Sequence, residues 1–165
     1  SKYERVEDIE ADCVIRLYPN IGKNKAIVID LDGTMCNIEH RLKYVKQEKK
    51  DWKKFFDEIP NDVPNQWCVD IAKTIPYQVV YCSGRPNTYR QQSVDWLKNY
   101  GVYYNHLYMR SSNDFRKDDI IKEVLLDFEL LTRFDIQFVI DDRKQVVDMW
   151  RRRGYVCLQP NEGNF

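Results

Sequence analysis

The sequence predicts an α/β fold, a mainly parallel sheet flanked by helices, with a small helical cap inserted near its start. Three observations predict it. Short β-branched apolar runs alternate with helix-period runs along most of the chain. The three strongest strand runs each end in polar, reactive residues. The one long interruption, residues 36–76, carries helical periodicity of its own.

The elements follow in order. Residues 1–24 read as a leading segment or linker, with a turn at Tyr18-Pro19-Asn20-Ile21-Gly22. Lys25-Ala26-Ile27-Val28-Ile29-Asp30 is the first strand, apolar enough to be buried on both faces. Between it and the next strand, Glu39 to Glu48 is a helical candidate. Trp52, Phe55, Phe56 and Ile59 fall at i, i+3, i+4, i+7, the spacing of a packed helix face. These two pieces form the cap, about residues 36–60, and Pro64 to Ile75 reads as a core helix. Tyr77 to Cys82 is the second strand. Residues Thr88 to Tyr100 form a helix with Tyr89, Trp96, Leu97 and Tyr100 on one face, ended by Gly101. His106 to Met109 is a weaker strand. Asp118 to Leu131 is a helix whose apolar stripe is Ile120, Ile121, Val124, Leu125, Phe128 and Leu131. Gln137 to Asp141 is the third strong strand. A helix then closes at Arg151-Arg152-Arg153 before Gly154, where positive charge suits the helix dipole. Tyr155 to Gln159 is a last, weak strand.

Composition excludes several classes. The chain has 165 residues, 26 Lys+Arg against 26 Asp+Glu, and 43% hydrophobic residues, so it is neither disordered nor basic all round. No apolar stretch approaches the ~20 residues of a membrane-spanning helix. The chain shows no secretory signal. Its five cysteines are scattered without C-x-x-C spacing, which disfavours a zinc site or disulfide framework and favours a reducing compartment. His40 and His106 are too few and too isolated to form a triad.

The chemistry gathers where parallel strands end. The first strand runs into Asp30-Leu31-Asp32-Gly33-Thr34, the second into Ser83-Gly84-Arg85, the third into Asp141-Asp142-Arg143. Four carboxylates meeting at one sheet edge repel one another unless a cation joins them. A hard divalent ion with oxygen ligands resolves the conflict. A Ser, a Lys and Arg residues beside it suit a phosphate group.

Ile27-Val28-Ile29-Asp30-Leu31-Asp32-Gly33-Thr34 resembles the first motif of the haloacid dehalogenase (HAD) superfamily. Ser83, Lys117 and Asp141-Asp142 are similar to its second, third and fourth motifs. Within that superfamily, Ser83-Gly84-Arg85, Met109-Arg110, Asp114 to Asp119, Ile140 to Arg152 and the closing Gly163-Asn164-Phe165 resemble the 3′-phosphatase domain of phage polynucleotide kinase-phosphatases. The likeness covers roughly residues 24–165. It implies a HAD-type Rossmann-like domain over 25–165. It further implies that Asp30 is the nucleophile forming an aspartyl-phosphate and Asp32 the general acid and then base. Ser83 and Lys117 would hold and neutralise the phosphate, and Thr34, Arg41, Gly84, Arg85 and Asp114 would bind substrate. Arg41 lies eleven residues after Asp30, as in that domain. Asp141, Asp142, the Asp30 carboxylate and the Asp32 main-chain carbonyl would hold Mg²⁺.

The expected activity is a Mg²⁺-dependent phosphomonoesterase acting on 3′-phosphorylated DNA or RNA ends. A nucleotidase acting on free nucleoside monophosphates is the enzymatic alternative, and an inactive module holding nucleic-acid ends the non-enzymatic one. The cap is rich in lysine (Lys43, Lys46, Lys49, Lys50, Lys53, Lys54), which would attract a phosphodiester backbone. The chain contains no G-x-x-x-x-G-K-[ST], so a kinase would lie on another part of the chain or on a partner. A kinase or ligase partner, a homo-oligomer, and a cytoplasmic setting (the host's for a viral chain) complete the expectations.

Overall fold

A computed structural model describes residues 23–102 and 104–163. The leading segment and Cys13 lie outside these apart from Lys23 and Asn24. β1 (Asn24–Ile29) is the central strand, buried from Ala26 onward. β2 (Cys36–Asn37), a 3₁₀ turn at Glu39–Arg41, α1 (Lys43–Lys46), α2 (Trp52–Asp57), a second 3₁₀ turn at Ile59–Asn61 and β3 (Val63–Pro64) follow. Then come α3 (Gln66–Thr74), β4 (Gln78–Pro86), α4 (Arg90–Asn99), β5 (His106–Arg110), α5 (Asp118–Leu125), a π turn at Leu126–Leu130, β6 (Phe134–Ile140), α6 (Lys144–Arg152) and β7 (Cys157–Leu158).

The main sheet has the order β5-β4-β1-β6-β7, every pair parallel. Period-2 alternation divides each inner strand between two cores. Ile27, Ile29 and Tyr81 pack with Cys68 and Val69 of α3, Trp96 and Leu97 of α4, and Phe55 and Ile59 of the cap. Ala26, Val28, Val80 and Cys82 pack on the other face against Leu126, Leu130, Val146, Val147 and Trp150. Because the chain moves from β1 to β4 on one side and returns to β6 on the other, the carboxyl ends of these three strands border one crevice, the usual ligand site of such sheets.

The cap is a small insertion held by the antiparallel ladder Cys36↔Pro64 and Asn37↔Val63. It therefore closes at Val63–Pro64, a little beyond the expected Pro60. Asp51 caps α2 by accepting from the Lys54 N–H at 3.1 Å.

The α5 stripe differs from its expected phase. Phe128 is exposed and Ile120 partly so, while Leu126 and Leu130 are fully buried. The π turn at Leu126–Leu130 inserts an extra residue per turn and rotates the following side chains. β6 also begins earlier than expected, at Phe134, because that segment pairs with β1 from Asn24 onward. Among the described residues, no helix is long and apolar enough to cross a membrane. Cys36, Cys68, Cys82 and Cys157 are buried free thiols.

Candidate active site

Asp30 leaves the end of β1, where its N–H donates to Ile140 O at 3.0 Å, so β6 fixes its position. Carboxylate oxygens of Asp30, Asp141 and Asp142 all lie within 4.8 Å of one another, and all three residues are buried. The ammonium that joins this cluster belongs to Lys122: its Nζ donates to Asp30 Oδ1 and to Asp141 Oδ2, each at 2.7 Å. Thr34 Oγ1 donates to Asp30 Oδ2 at 3.0 Å. Trp150 Nε1 donates to Asp141 Oδ2 at 3.4 Å. Gly33 has φ +84°, and a Cβ there would stand 2.0 Å from Asp142 Oδ2, so the turn admits only glycine.

Lys117 is not part of this cluster. It is exposed and precedes α5 as its N-cap, on the rim of the cavity. Lys122 lies one turn and a residue further along, on the inner face of α5 beside Ile121. The signal was a lone cation inside an apolar stripe.

The electrostatics of the cluster follow from burial. Burial, joined by the charge of Asp141, raises Asp30 well above the ordinary carboxylate range against the pull of Lys122. Burial and Asp141 likewise push Asp142 up to about 6. Burial opposes the charge on Lys122, but Asp141 and Asp30 outweigh it and keep the ammonium protonated. Three carboxylates gather around one ammonium that bonds two of them, and they offer only oxygen donors. That set suits a hard divalent cation and not zinc held by Cys or His.

Asp32 points away from the cluster into a pair of arginines. Arg41 Nη2 donates to its Oδ1 at 2.5 Å. Arg85 reaches the same oxygen through Nε at 3.0 Å and Nη2 at 2.5 Å. Both guanidiniums are buried. Burial alone would favour the neutral acid, but the two arginines outweigh it and hold the carboxyl well below its ordinary range. The arginines are themselves held. Buried Asp62 accepts from Arg41 Nε at 2.8 Å and Nη2 at 2.7 Å, and His40 Nε2 lies 2.6 Å from the same carboxylate. Arg85 Nη1 donates to Ser93 Oγ at 2.9 Å, and Arg41 covers the Phe55 ring at 4.4 Å. Asp62 is distant in sequence from both arginines and stands in no recognisable motif, so sequence spacing gave no sign of it.

Ser83, fully buried in β4, accepts from the Arg85 N–H at 3.1 Å. The β4–β5 register jumps between Ser83 and Pro86, which frees Gly84 and Arg85 from the ladder. A Cβ on Gly84 would stand 2.5 Å from Asp118 Oδ1. Asp118 is a second carboxylate that sequence reading missed: it binds Arg110 and, at 2.5 Å, Arg143 Nη1. Asp114 stands outside the carboxylate cluster, and its main-chain carbonyl accepts from Arg110 Nη1 at 3.1 Å. It pairs with Arg116, whose hydrogen bonds hold its carboxyl down at about 2.

These groups open into a cavity of about 910 Å³. Asp30, Asp32, Lys122, Asp141 and Asp142 line it, together with Gly84, Arg85, Arg110 and Arg143. The cap contributes Lys50, Trp52, Lys53, Phe55 and Phe56, and the segment after β5 contributes Asp114, Phe115, Arg116 and Lys117. The remaining cap lysines lie elsewhere.

Comparison with known proteins accords with this geometry. A family model for the phosphatase domain of polynucleotide kinase PNKP matches residues 24–165. A protein of Autographa californica nuclear polyhedrosis virus, described as a bifunctional polynucleotide kinase/RNA ligase, is 31% identical over 129 residues, 77% of this chain and 18% of the viral one. A chain of the Pnkp1/Rnl/Hen1 complex superposes with a TM-score of 0.74 at 36% identity, over 88% of this chain and 49% of the other. The class C acid phosphatase of Bacillus anthracis shares the fold, with a TM-score of 0.53 at 19% identity over 84% of this chain and 58% of its own. The chain thus spans half or less of its polynucleotide-kinase relatives. With its parallel five-stranded sheet and the carboxylate cluster at the sheet's edge, it belongs to the family of polynucleotide kinase PNKP phosphatase domains.

Proposed function

We propose that this domain removes the 3′-phosphate from nucleic-acid ends through an aspartyl-phosphate on Asp30, with Mg²⁺ held by Asp30, Asp141 and Asp142. The observation that carries this reading is Lys122 bridging Asp30 and Asp141 at 2.7 Å on the floor of an open cavity. Mg²⁺ held by these carboxylates would supply positive charge to the phosphate and offset their mutual repulsion. Lys122 orients Asp30 and, together with a bound cation, would favour its ionised form, so that one carboxylate oxygen can attack phosphorus while the ester bond to the 3′-oxygen breaks. Asp32 gives its proton to that leaving oxygen, then takes one from the water that cleaves the acyl phosphate.

The arginine fork sets the terms of that proton transfer. With the cavity free of substrate, Arg41 and Arg85 keep Asp32 ionised. A phosphate dianion beside it adds negative charge and raises its proton affinity, so Asp32 takes up a proton from solvent as substrate binds and holds it for the leaving oxygen. Ser83, buried in β4 next to the cavity-lining Gly84, is the proposed hydroxyl contact to a phosphate oxygen, and Arg110 and Arg143, tied by Asp118, add positive potential to the cavity wall. Lys117, Arg116, Lys50 and Lys53 at the mouth suit a polyanion more than a lone monophosphate. The relatives named for RNA ligase and RNA repair support RNA ends as the natural substrate, with kinase and ligase activities as companions. The buried free thiols suit a reducing compartment such as the cytoplasm.

The test is turnover with Mg²⁺ of a 3′-phosphorylated oligoribonucleotide, its deoxy counterpart, and free 3′- and 5′-mononucleotides. The 3′-phosphorylated oligonucleotide should have the highest kcat/KM, and Asp30→Asn should abolish it. Preferred hydrolysis of free mononucleotides would replace this reading with a nucleotidase.

A further inference from the structure

Phe115 is 88% exposed, the most exposed large apolar side chain among the described residues, yet it borders the active-site cavity. A single exposed aromatic is ordinary on a protein surface. This one is displayed by a fixed backbone. The carbonyls on either side of it, Asp114 O and Arg116 O, both accept from Arg110 Nη1, at 3.1 and 2.5 Å. Arg110 is anchored in turn to Gly84 O at 2.8 Å and to Asp118. Arg116 folds back onto Asp114, and the Asp114 N–H donates to Ser111 O at 3.0 Å. The backbone that displays the ring is therefore fixed at the mouth by an arginine that lines the same cavity as the catalytic carboxylates, and little backbone freedom is lost when something covers the ring.

The cap brings a second aromatic surface to the same cavity. Trp52, 43% exposed, stacks on Phe56 with centroids 5.9 Å apart and an interplanar angle of 23°. Phe56 in turn leans on Tyr89 at 5.0 Å. Lysines and arginines line the same cavity as these rings, and Lys50 Nζ lies 5.7 Å over Trp52. Aromatic faces interleaved with cations are the chemistry that holds single-stranded nucleic acid, bases on rings and phosphates on cations. The cavity, about 910 Å³, is of the size that encloses a whole small molecule rather than a phosphate group alone.

We propose that Phe115, with Trp52, forms a stacking platform for the nucleobase of the nucleotide that carries the 3′-phosphate. The platform rests on the reading of the substrate as a nucleic-acid 3′ end, and it makes the enzyme sensitive to the presence of a base more than to its identity. Every base offers a π-face, so stacking tolerates all sequences.

The experiment compares 3′-phosphorylated oligonucleotides whose last nucleotide is intact or abasic. Wild type should favour the intact end by about five- to a hundredfold in kcat/KM. In Phe115→Ala that ratio should fall toward one, through KM rather than kcat, and Phe115→Trp should keep it. In an Asp30→Asn background, which binds without turnover, a terminal 2-aminopurine should be quenched by the protein with Phe115 and not by Phe115→Ala. A ratio near one in wild type, or one unchanged in Phe115→Ala, overturns the platform while leaving 3′-end hydrolysis standing, and would assign the exposed ring to a protein contact. If wild type hydrolyses simple phosphomonoesters but not 3′-phosphorylated ends, the substrate assignment falls and the platform with it.

Discussion

Lys122 Nζ lies 2.7 Å from Asp30 and 2.7 Å from Asp141, joining the ends of β1 and β6 through one buried ammonium. Its ammonium opposes the upward push of burial and of Asp141 on the Asp30 carboxyl, the proposed nucleophile, so removing it would raise that group's proton affinity further.

Lys122→Met should therefore lower kcat by about a hundredfold to a thousandfold, the scale seen when one preorganised charge-stabilising group is lost. Lys117→Met should change kcat by no more than a few fold and act mainly on KM, because Lys117 is exposed at the cavity mouth. Single-turnover rates for both variants on one substrate check this. Equal losses would restore Lys117 to a catalytic role.

Metal removal should show in stability as well as in activity. Asp142 has a folded-state value of about 6, above the ordinary carboxylate value of 3.8. A raised acid binds its proton more tightly in the folded state. Its contribution to stability is thus present at low pH and lost as pH rises from about 4 to about 6. With EDTA, Tm should fall across that window, other groups being equal. Mg²⁺ binds the ionised carboxylates, so its Tm increment should be larger at pH 7.5 than at pH 5. Thermal melts with EDTA and with Mg²⁺ at the two pH values measure this, and an increment independent of pH would contradict it.

Arg41→Ala should destabilise the domain by about 3–5 kcal/mol, because it leaves the buried Asp62 carboxylate without its main partner. Arg41→Lys should recover only part, since one ammonium cannot match the two-point contact to Asp62 while reaching Asp32. Urea unfolding of both variants gives the order, and an Arg41→Ala variant as stable as wild type would show that the ion pair contributes little.

Replacing Lys50 and Lys53 by Gln should flatten the salt dependence of oligonucleotide KM. If each meets one phosphate of a single strand, the log–log slope should fall by about 0.7 per lysine. The same change at Lys43 and Lys46 should leave the slope alone, because neither borders the cavity. KM at several salt concentrations for the two double variants decides the point.

The sequence by itself determined the layered fold and the three strand ends where the reactive residues lie. Buried parallel strands must be short apolar runs, and β1, β4 and β6 read as such because both their faces are covered. Asp30, Asp141 and Asp142 were legible for the same reason: they directly follow those runs, and the sheet brings adjacent strand ends together. Tertiary structure alone decided which lysine reaches Asp30. Both Lys117 and Lys122 belong to the α5 segment, and only the face that α5 turns to the sheet separates the buried cation from the solvated one. It also decided that Asp62 fastens Arg41, that Asp118 joins Arg110 to Arg143, and that the π turn exposes Phe128. Each of these depends on helix phase or on contacts between distant residues, and local periodicity carries neither.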